Sequence, residues 1–165
     1  MKDRMKRCGL IVLKPDAYRD LIAEKIIDDI KKAGFWIILR KDIYITRKQA
    51  ELIYLENKDE DCYPYAIASL LGGKITLLIV RHSEENILQT LKQLRGKANQ
   101  SGLRKKYALC LGENLEEKIS KGLLRYEIAQ NRLHVSDSIR AMKRIVKEFL
   151  TVKEMAFLFI KTFIN

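Results

Sequence analysis

Two short segments of this chain hold the residue types best suited to phosphate chemistry. His134 lies within residues 131–138, just before Ser136-Asp137, a pair that can cap a helix. An imidazole is neutral near pH 7 and can take a phosphoryl group on nitrogen, giving a reactive covalent intermediate. Lys14 follows a short apolar run, and Pro15 stiffens the chain so that its ammonium is held at a fixed point, which suits phosphate binding. Taken alone, each segment also fits a plainer interpretation, a surface turn or a histidine of the core.

The elements around these segments alternate between strands and helices. Runs rich in β-branched and aromatic residues predict strands over 10–13, 35–45, 75–80 and 133–135. Apolar residues at helical spacing predict helices over 17–32, 47–56, 63–71, 84–94 and 139–150, and a helical C-terminal tail over about 151–165. This order favours an α+β fold, the ferredoxin-like split βαβ arrangement, with a four-stranded antiparallel sheet covered by helices.

Composition narrows the class of protein further. A length of 165 residues predicts a single domain over 1–165. Lysine and arginine outnumber aspartate and glutamate by 32 to 21, and this excess of positive charge favours anionic ligands. An odd number of cysteines, three, argues against a disulfide framework, and no apolar run is long enough to span a bilayer. We therefore expect a cytoplasmic protein without a membrane partner.

Together, and in this order, the two segments resemble the nucleoside diphosphate kinase family. The likeness begins at residues 10–17, continues through 22–27 and Gly34-Phe35, and returns at 131–138. The resemblance implies transfer of the terminal phosphate of a nucleoside triphosphate to a nucleoside diphosphate through a phosphohistidine. It also implies ATP and other nucleoside di- and triphosphates as substrates, Mg²⁺ held through the nucleotide phosphates rather than by side chains, and a homo-oligomer.

The resemblance assigns roles to single residues of this chain. His134 matches the nucleophile and Lys14 the ligand of the transferring phosphate, while Tyr54 and Ser136 match the tyrosine beside the histidine and the serine behind it. The side chains that would hold the nucleotide are Tyr63 against the base, Lys92 and Arg104 on the phosphates, and Asn131 on the ribose or a phosphate. Two alternatives stay open: Arg125 in place of Arg104, and Asn114 in place of Asn131.

Several positions depart from the family pattern. Val135 puts a β-branched side chain after the histidine, where we expect it to take space beside the nucleophile. Ile145 replaces the glutamate that normally orients the imidazole, and Ala98 replaces a phosphate-binding threonine. An insertion at about 113–130 alters a loop that the family often uses for subunit contacts, which weakens the expectation of the usual hexamer.

Three functions are consistent with these observations. The first is nucleoside diphosphate kinase activity, reduced by the departures, and the second is a nucleotide-binding relative without turnover. The third is a basic nucleic-acid-binding module, because residues 92–125 hold nine lysines and arginines against three glutamates.

Overall fold

The computed structural model describes residues 7–97, 100–108 and 129–164. Its sheet has four antiparallel strands, as the sequence predicted, and their order is β2-β3-β1-β4. The strands are β1 Cys8–Leu13, β2 Trp36–Ile43, β3 Ile75–Arg81 and β4 Leu133–Val135. The described helices are α1 Pro15–Arg19, α2 Ala23–Lys32, α3 Arg47–Ile53, α4 Tyr63–Ala68, α5 Ile87–Arg95, α6 Gly102–Lys106, α7 Ile139–Phe149 and α8 Val152–Ile164, with a 3₁₀ turn at Leu55–Asn57.

Strand β1 is central to the sheet and buried along its whole length. Because side chains alternate along a strand, Leu10 and Val12 face one hydrophobic cluster, while Ile11 and Leu13 face the other. The first cluster includes residues of α3, α4, α7 and α8, and the second includes residues of α2, α5 and α6. The sheet is thus covered by helices on both faces, and β1 runs between two cores.

The helix predicted over residues 17–32 is broken in the structure. Helix α1 ends at Arg19 and α2 begins at Ala23, and between them Leu21 has a left-handed φ of 56°. Leu21 is 87% exposed, so it does not belong to the buried face of a helix, although the sequence pattern assigned it to one. The break leaves the carboxylate of Asp20 free to accept a hydrogen bond from Arg132, which immediately precedes β4.

The C-terminal helix α8 packs Leu158 into the first core cluster and leaves several large apolar side chains exposed. Among the described residues, no helix combines the length and apolar character needed to cross a membrane. Most of the predicted insertion at about 113–130, including Asn114 and Arg125, lies outside the described residues, which resume at Ala129; Ala98 lies outside them as well.

Candidate active site

The pairing of β1 with β4 places Lys14 and His134 on the same face of the sheet. Val12 lies directly opposite His134, and the backbone N–H of Lys14 extends the ladder by donating to the Arg132 carbonyl at 2.9 Å. Lys14 follows Val12 by two residues, and side chains two apart along an extended chain point to the same side. Both side chains consequently lie on the face of the first core cluster.

The ammonium of Lys14 is buried and held by two oxygen acceptors. Its Nζ donates to the Ala129 carbonyl at 2.7 Å and to the Ser69 hydroxyl at 3.1 Å. Burial, aided by the nearby Arg104 charge, lowers the pKa of Lys14 to about 7. An anion arriving beside this group would favour its charged form, so Lys14 is suited to meet a phosphate.

Tyr54 forms the wall beside the histidine. It follows the end of α3, a helix that begins with a capping box between Thr46 and Gln49. The Tyr54 ring lies 4.6 Å from the His134 ring and 5.5 Å from the Lys14 ammonium, measured to ring centroids. Burial raises the pKa of the Tyr54 phenol, so the hydroxyl stays protonated and able to donate a hydrogen bond.

His134 is 5% exposed and lies among cations. Burial, together with the charges of Lys14, Arg104 and Arg95, holds the pKa of its imidazole well below the ordinary value. The ring is therefore neutral at physiological pH and keeps a lone pair on one nitrogen, as a nucleophile requires. Two residues along the chain, the buried Ser136 hydroxyl has no hydrogen-bond partner in the described part of the chain.

Two arginines, one on α5 and one on α6, bring further positive charge close to His134. Arg104, on α6, donates from Nη2 and Nε to the Leu133 carbonyl at 2.9 and 3.2 Å, which ties α6 to the strand that holds His134. Burial lowers the pKa of Arg104 to about 10, so it remains charged near neutral pH. Arg95, the last residue of α5, lies 3.7 Å from Asp137, and its buried Nε has no partner among the described residues.

The turn before β4 is fixed by a buried network around Arg132. This residue has a left-handed φ of 70°, which an arginine adopts only when its surroundings hold it there. Its backbone N–H donates to the Asp16 carboxylate at 3.0 Å, and its guanidinium donates to the Asp16 carbonyl, to Asp20 and to the Tyr107 carbonyl. The segment that follows Lys14 is thereby connected to the segment that leads to His134.

These side chains line one cavity of about 220 Å³. Five of the residues predicted from the sequence are among those that line it: Lys14, Tyr54, Arg104, Asn131 and His134. Binding pockets for whole small molecules typically measure about 300–1,000 Å³, so this cavity is large enough for only part of such a molecule. The buried Oδ1 of Asn131 has no described partner and is available to a ligand.

Two predicted nucleotide contacts do not line this cavity. Tyr63 begins α4 and packs, half-buried, against the first core cluster, while its neighbour Cys62 lines the cavity. Lys92 is half-exposed and lies 3.6 Å from Asp137, and Arg95, three residues later on α5, lines the cavity instead. Sequence analysis missed Arg95, although the spacing of α5 places it on the same helix face as Lys92.

The structure corrects the expectation about Val135, while that about Ile145 stays a prediction. Val135 pairs with Ile11 and packs in the second cluster, on the opposite face of the sheet from His134, so it takes no space beside the imidazole. Ile145 is fully buried in the first cluster, the one that includes Val12 and Tyr54. An apolar side chain therefore stands on the same face of the sheet as His134.

Comparison with known proteins adds an independent observation. The family model described as nucleoside diphosphate kinase matches residues 7–155. The chain belongs to the nucleoside diphosphate kinase family.

Its similarity to individual members of this family is low but covers nearly the full length. The chain is 27% identical to a nucleoside diphosphate kinase of Methanocaldococcus jannaschii, over 92% of this chain and 98% of the relative. It is 28% identical to one from a Wolbachia of Drosophila simulans, over 88% and 95%. A Borrelia burgdorferi nucleoside-diphosphate kinase, solved with bound vanadate and ADP as a transition state mimic, shares the fold with a TM-score of 0.70 and 15% identity, over 89% of this chain and 88% of that one.

The different positions of Arg95 and Lys92 lead to a testable prediction. Replacing Arg95 with Ala removes a cation that lines the cavity, and hydrogen bonds to charged groups contribute about 1.5–3 kcal/mol each. We expect Arg95→Ala to weaken nucleotide binding by about 10- to 100-fold, and Lys92→Ala, the matched control on the same helix, to change it less than about threefold. Titration calorimetry with ADP measures both. A larger loss in Lys92→Ala than in Arg95→Ala would contradict this assignment.

Proposed function

We propose that this protein transfers the terminal phosphate of a nucleoside triphosphate to a nucleoside diphosphate, with His134 as the residue that becomes phosphorylated. The observation that carries the proposal is the neutral, buried imidazole of His134 in one cavity with Lys14, Arg95 and Arg104. An uncharged nucleophile surrounded by fixed cations can attack a phosphate, because the cations offset the charge of its oxygens.

In the first half of the reaction, the phosphate end of the nucleotide enters the cavity and contacts Lys14, Arg95 and Arg104. One ring nitrogen of His134 attacks the terminal phosphorus. The nitrogen–phosphorus bond forms as the bond from phosphorus to the bridging oxygen breaks, and the nucleoside diphosphate leaves with that electron pair. Lys14 becomes more firmly protonated beside the incoming phosphate, because a neighbouring negative charge raises the pKa of an amine.

The second half reverses these bond changes with another nucleoside diphosphate. Its terminal phosphate oxygen attacks the phosphorus on His134, the nitrogen–phosphorus bond breaks and the imidazole returns to its neutral form. We expect the Tyr54 hydroxyl to donate a hydrogen bond near the reacting groups. We expect the amide oxygen of Asn131, which has no partner among the described residues, to accept one from the sugar. The same cations serve both half-reactions.

A divalent cation would accompany the nucleotide in the proposed reaction. In the described chain, no group of three or more histidine, cysteine, aspartate and glutamate side chains could hold a metal ion. We propose that the nucleotide phosphates would hold Mg²⁺, which would offset charge on their oxygens, while Lys14, Arg95 and Arg104 would contact the same phosphates. The cationic side chains of the cavity would then offset the negative charge of the phosphates that the metal ion leaves unbalanced.

Phosphate exchange between two nucleotides tests the proposed function. Purified protein is incubated with ATP, GDP and Mg²⁺, and the formation of GTP is followed at several fixed concentrations of GDP. A covalent intermediate predicts parallel lines in a double-reciprocal plot, the pattern of ping-pong kinetics. Intersecting lines would contradict the phosphohistidine route.

A second candidate function is nucleotide binding without turnover, and the observation that favours it is Ile145. Ile145 puts an apolar side chain on the face of the sheet that holds His134, and the Ser136 hydroxyl has no hydrogen-bond partner among the described residues. Tight ADP binding with no exchange activity would favour this candidate.

Restoring the carboxylate distinguishes the two candidates. Positioned acid–base and orienting groups contribute about 10²- to 10⁴-fold in rate, and we expect Ile145→Glu to recover about tenfold in the rate of phosphohistidine formation. The variant should be less stable, because a carboxylate replaces a fully buried apolar group. Ile145→Met is the control for altered packing, and single-turnover kinetics with labelled ATP measure all three proteins. If Ile145→Glu folds yet phosphorylates no faster than Ile145→Met, another group already orients His134.

The remaining expectations stay predictions of this proposal. They are a homo-oligomeric assembly, a cytoplasmic location, stacking of the base on Tyr63 and a phosphate contact from Lys92. The structure leaves Tyr63 outside the cavity, so stacking there would require the base to lie beyond the cavity mouth.

A further inference from the structure

A second, larger concavity of about 660 Å³ lies between the edge strand β2 and helix α8. Within the described part of the chain, its lining residues differ from those of the candidate active site. Two aromatic side chains line it, and they are unusually exposed: Trp36 by 59% and Phe157 by 46%. We call this concavity the β2–α8 groove. Exposed apolar side chains that cluster in this way often mark an interaction site, whereas single exposed apolar residues are common on any protein surface.

The strand geometry explains why these side chains are presented to solvent. β2 is an edge strand, paired on one side with β3, and its register shifts between Ile37 and Leu39. A β-bulge of this kind bends an edge and re-aims side chains. As a result, Ile37 and Ile38 both line the groove, although neighbouring residues of a regular strand would face opposite ways.

Three cations line the same groove. Arg81 lies directly opposite Trp36 in the pairing of β2 with β3, which makes their side chains neighbours. The Lys161 ammonium lies 5.7 Å from the centre of the Phe157 ring. Arg7 lies 4.0 Å from the exposed carboxylate of Glu85, and exposed ion pairs of this kind contribute little to stability. None of the described lining residues is acidic.

We propose that the β2–α8 groove binds single-stranded nucleic acid, with bases stacked on Trp36 and Phe157 and phosphates held by Arg7, Arg81 and Lys161. A basic groove with aromatic side chains is the combination that binds single strands without sequence preference, because every base has a π-face. The net charge of +11 attracts a polyanion over a longer range. A concave site suits a flexible strand, whereas a planar bilayer would contact a convex surface. This site is independent of the phosphate-transfer site.

Trp36 makes the proposal directly measurable, because it is the chain's single tryptophan. We expect a single-stranded oligothymidylate to quench Trp36 fluorescence at low salt, and binding to weaken as salt rises. Trp36→Ala should weaken binding of a labelled oligothymidylate by about 5- to 150-fold in fluorescence anisotropy, the loss expected for one stacking contact. Trp36→Phe keeps an aromatic face and should bind nearly as well, which separates stacking from misfolding.

A matched pair of lysines on α8 tests the phosphate contacts. Lys161 lines the groove, while Lys153 is also exposed on α8 but does not line it. Each phosphate neutralised on a single strand contributes about 0.7 to the slope of log affinity against log salt. Lys161→Ala should therefore reduce the slope by about 0.7, and Lys153→Ala should leave it unchanged.

Four results would overturn the proposal. The first is the absence of quenching at low salt, and the second is binding that Trp36→Ala and Lys161→Ala leave unchanged. The third is equal affinity for thymidine monophosphate and the oligomer, which would make a free nucleotide the ligand. The fourth is a response of Trp36 to anionic lipid vesicles with none to the oligomer, which would make the groove a membrane-binding surface.

Discussion

Replacing His134 with Ala is expected to lower the rate of phosphate exchange between ATP and GDP by about 10⁴-fold or more, the scale of loss when an enzyme loses its covalent nucleophile. The imidazole is the group that forms the new bond to phosphorus. Among the described side chains that line the cavity, His134 is the only imidazole. Cys62 also lines the cavity, but burial raises the pKa of its thiol and keeps it protonated. Initial rates of GTP formation measure the effect.

The other histidine of the chain provides the control. His82 stacks against Phe35 and lies outside the cavity, so His82→Ala should retain the exchange rate within about threefold. Both variants should keep the circular dichroism of the wild type. Exchange by His134→Ala at a rate close to that of His82→Ala would show that phosphate transfer does not pass through His134.

Replacing Lys14 with Met is expected to lower the single-turnover rate of phosphorylation by about 10²- to 10³-fold, the range seen when one preorganised electrostatic contact to a reacting group is lost. Methionine is similar in length and apolar, so the buried site can accommodate it without a charge. It cannot offset the negative charge that the phosphate brings to the cavity. Unchanged ADP affinity together with an unchanged phosphorylation rate would exclude Lys14 as the phosphate ligand.

The pH dependence of this reaction distinguishes a charge effect of Lys14 from a packing effect. The pKa of Lys14 is about 7 in the free protein, so the ammonium is charged below pH 7 and loses its proton as the pH rises above it. Arg104, with a pKa of about 10, stays charged over most of this range. We expect kcat/KM of the wild type to fall by up to about tenfold per unit between pH 7 and 9, and that of Lys14→Met to stay flat. A wild-type profile without this decline would contradict the role of the Lys14 charge.

The sequence predicted the four strands because strand patterning is local, whereas the association of Lys14 with His134 was implied by the family resemblance. Strand alternation alone places His134 and Val12 on one face and Val135 on the other once the register is known. The expectation that Val135 crowds the imidazole was wrong because it followed the motif and ignored this alternation. Family membership, the fold and the transferase class were all confirmed.

Other features depend on how elements pack, which a single sequence does not reveal. Whether Lys92 or Arg95 lines the cavity depends on where α5 ends relative to β4, and both residues are basic and on one helix face. The left-handed φ of Leu21 divides a segment whose apolar spacing is helical throughout. The β2–α8 groove likewise exists only because α8 lies beside an edge strand whose bulge turns Ile37 and Ile38 to one side.

The central claim is that His134 takes up the phosphoryl group, and one measurement tests it most directly. The wild-type protein is incubated with γ-labelled ATP and Mg²⁺ in the absence of any acceptor, separated from nucleotide, and digested at neutral or alkaline pH for mass spectrometry. We predict one phosphoryl group per chain, on the peptide that contains His134, released by acid and transferred to added GDP. Label that survives acid, lies on another residue or cannot be transferred to GDP would contradict the account.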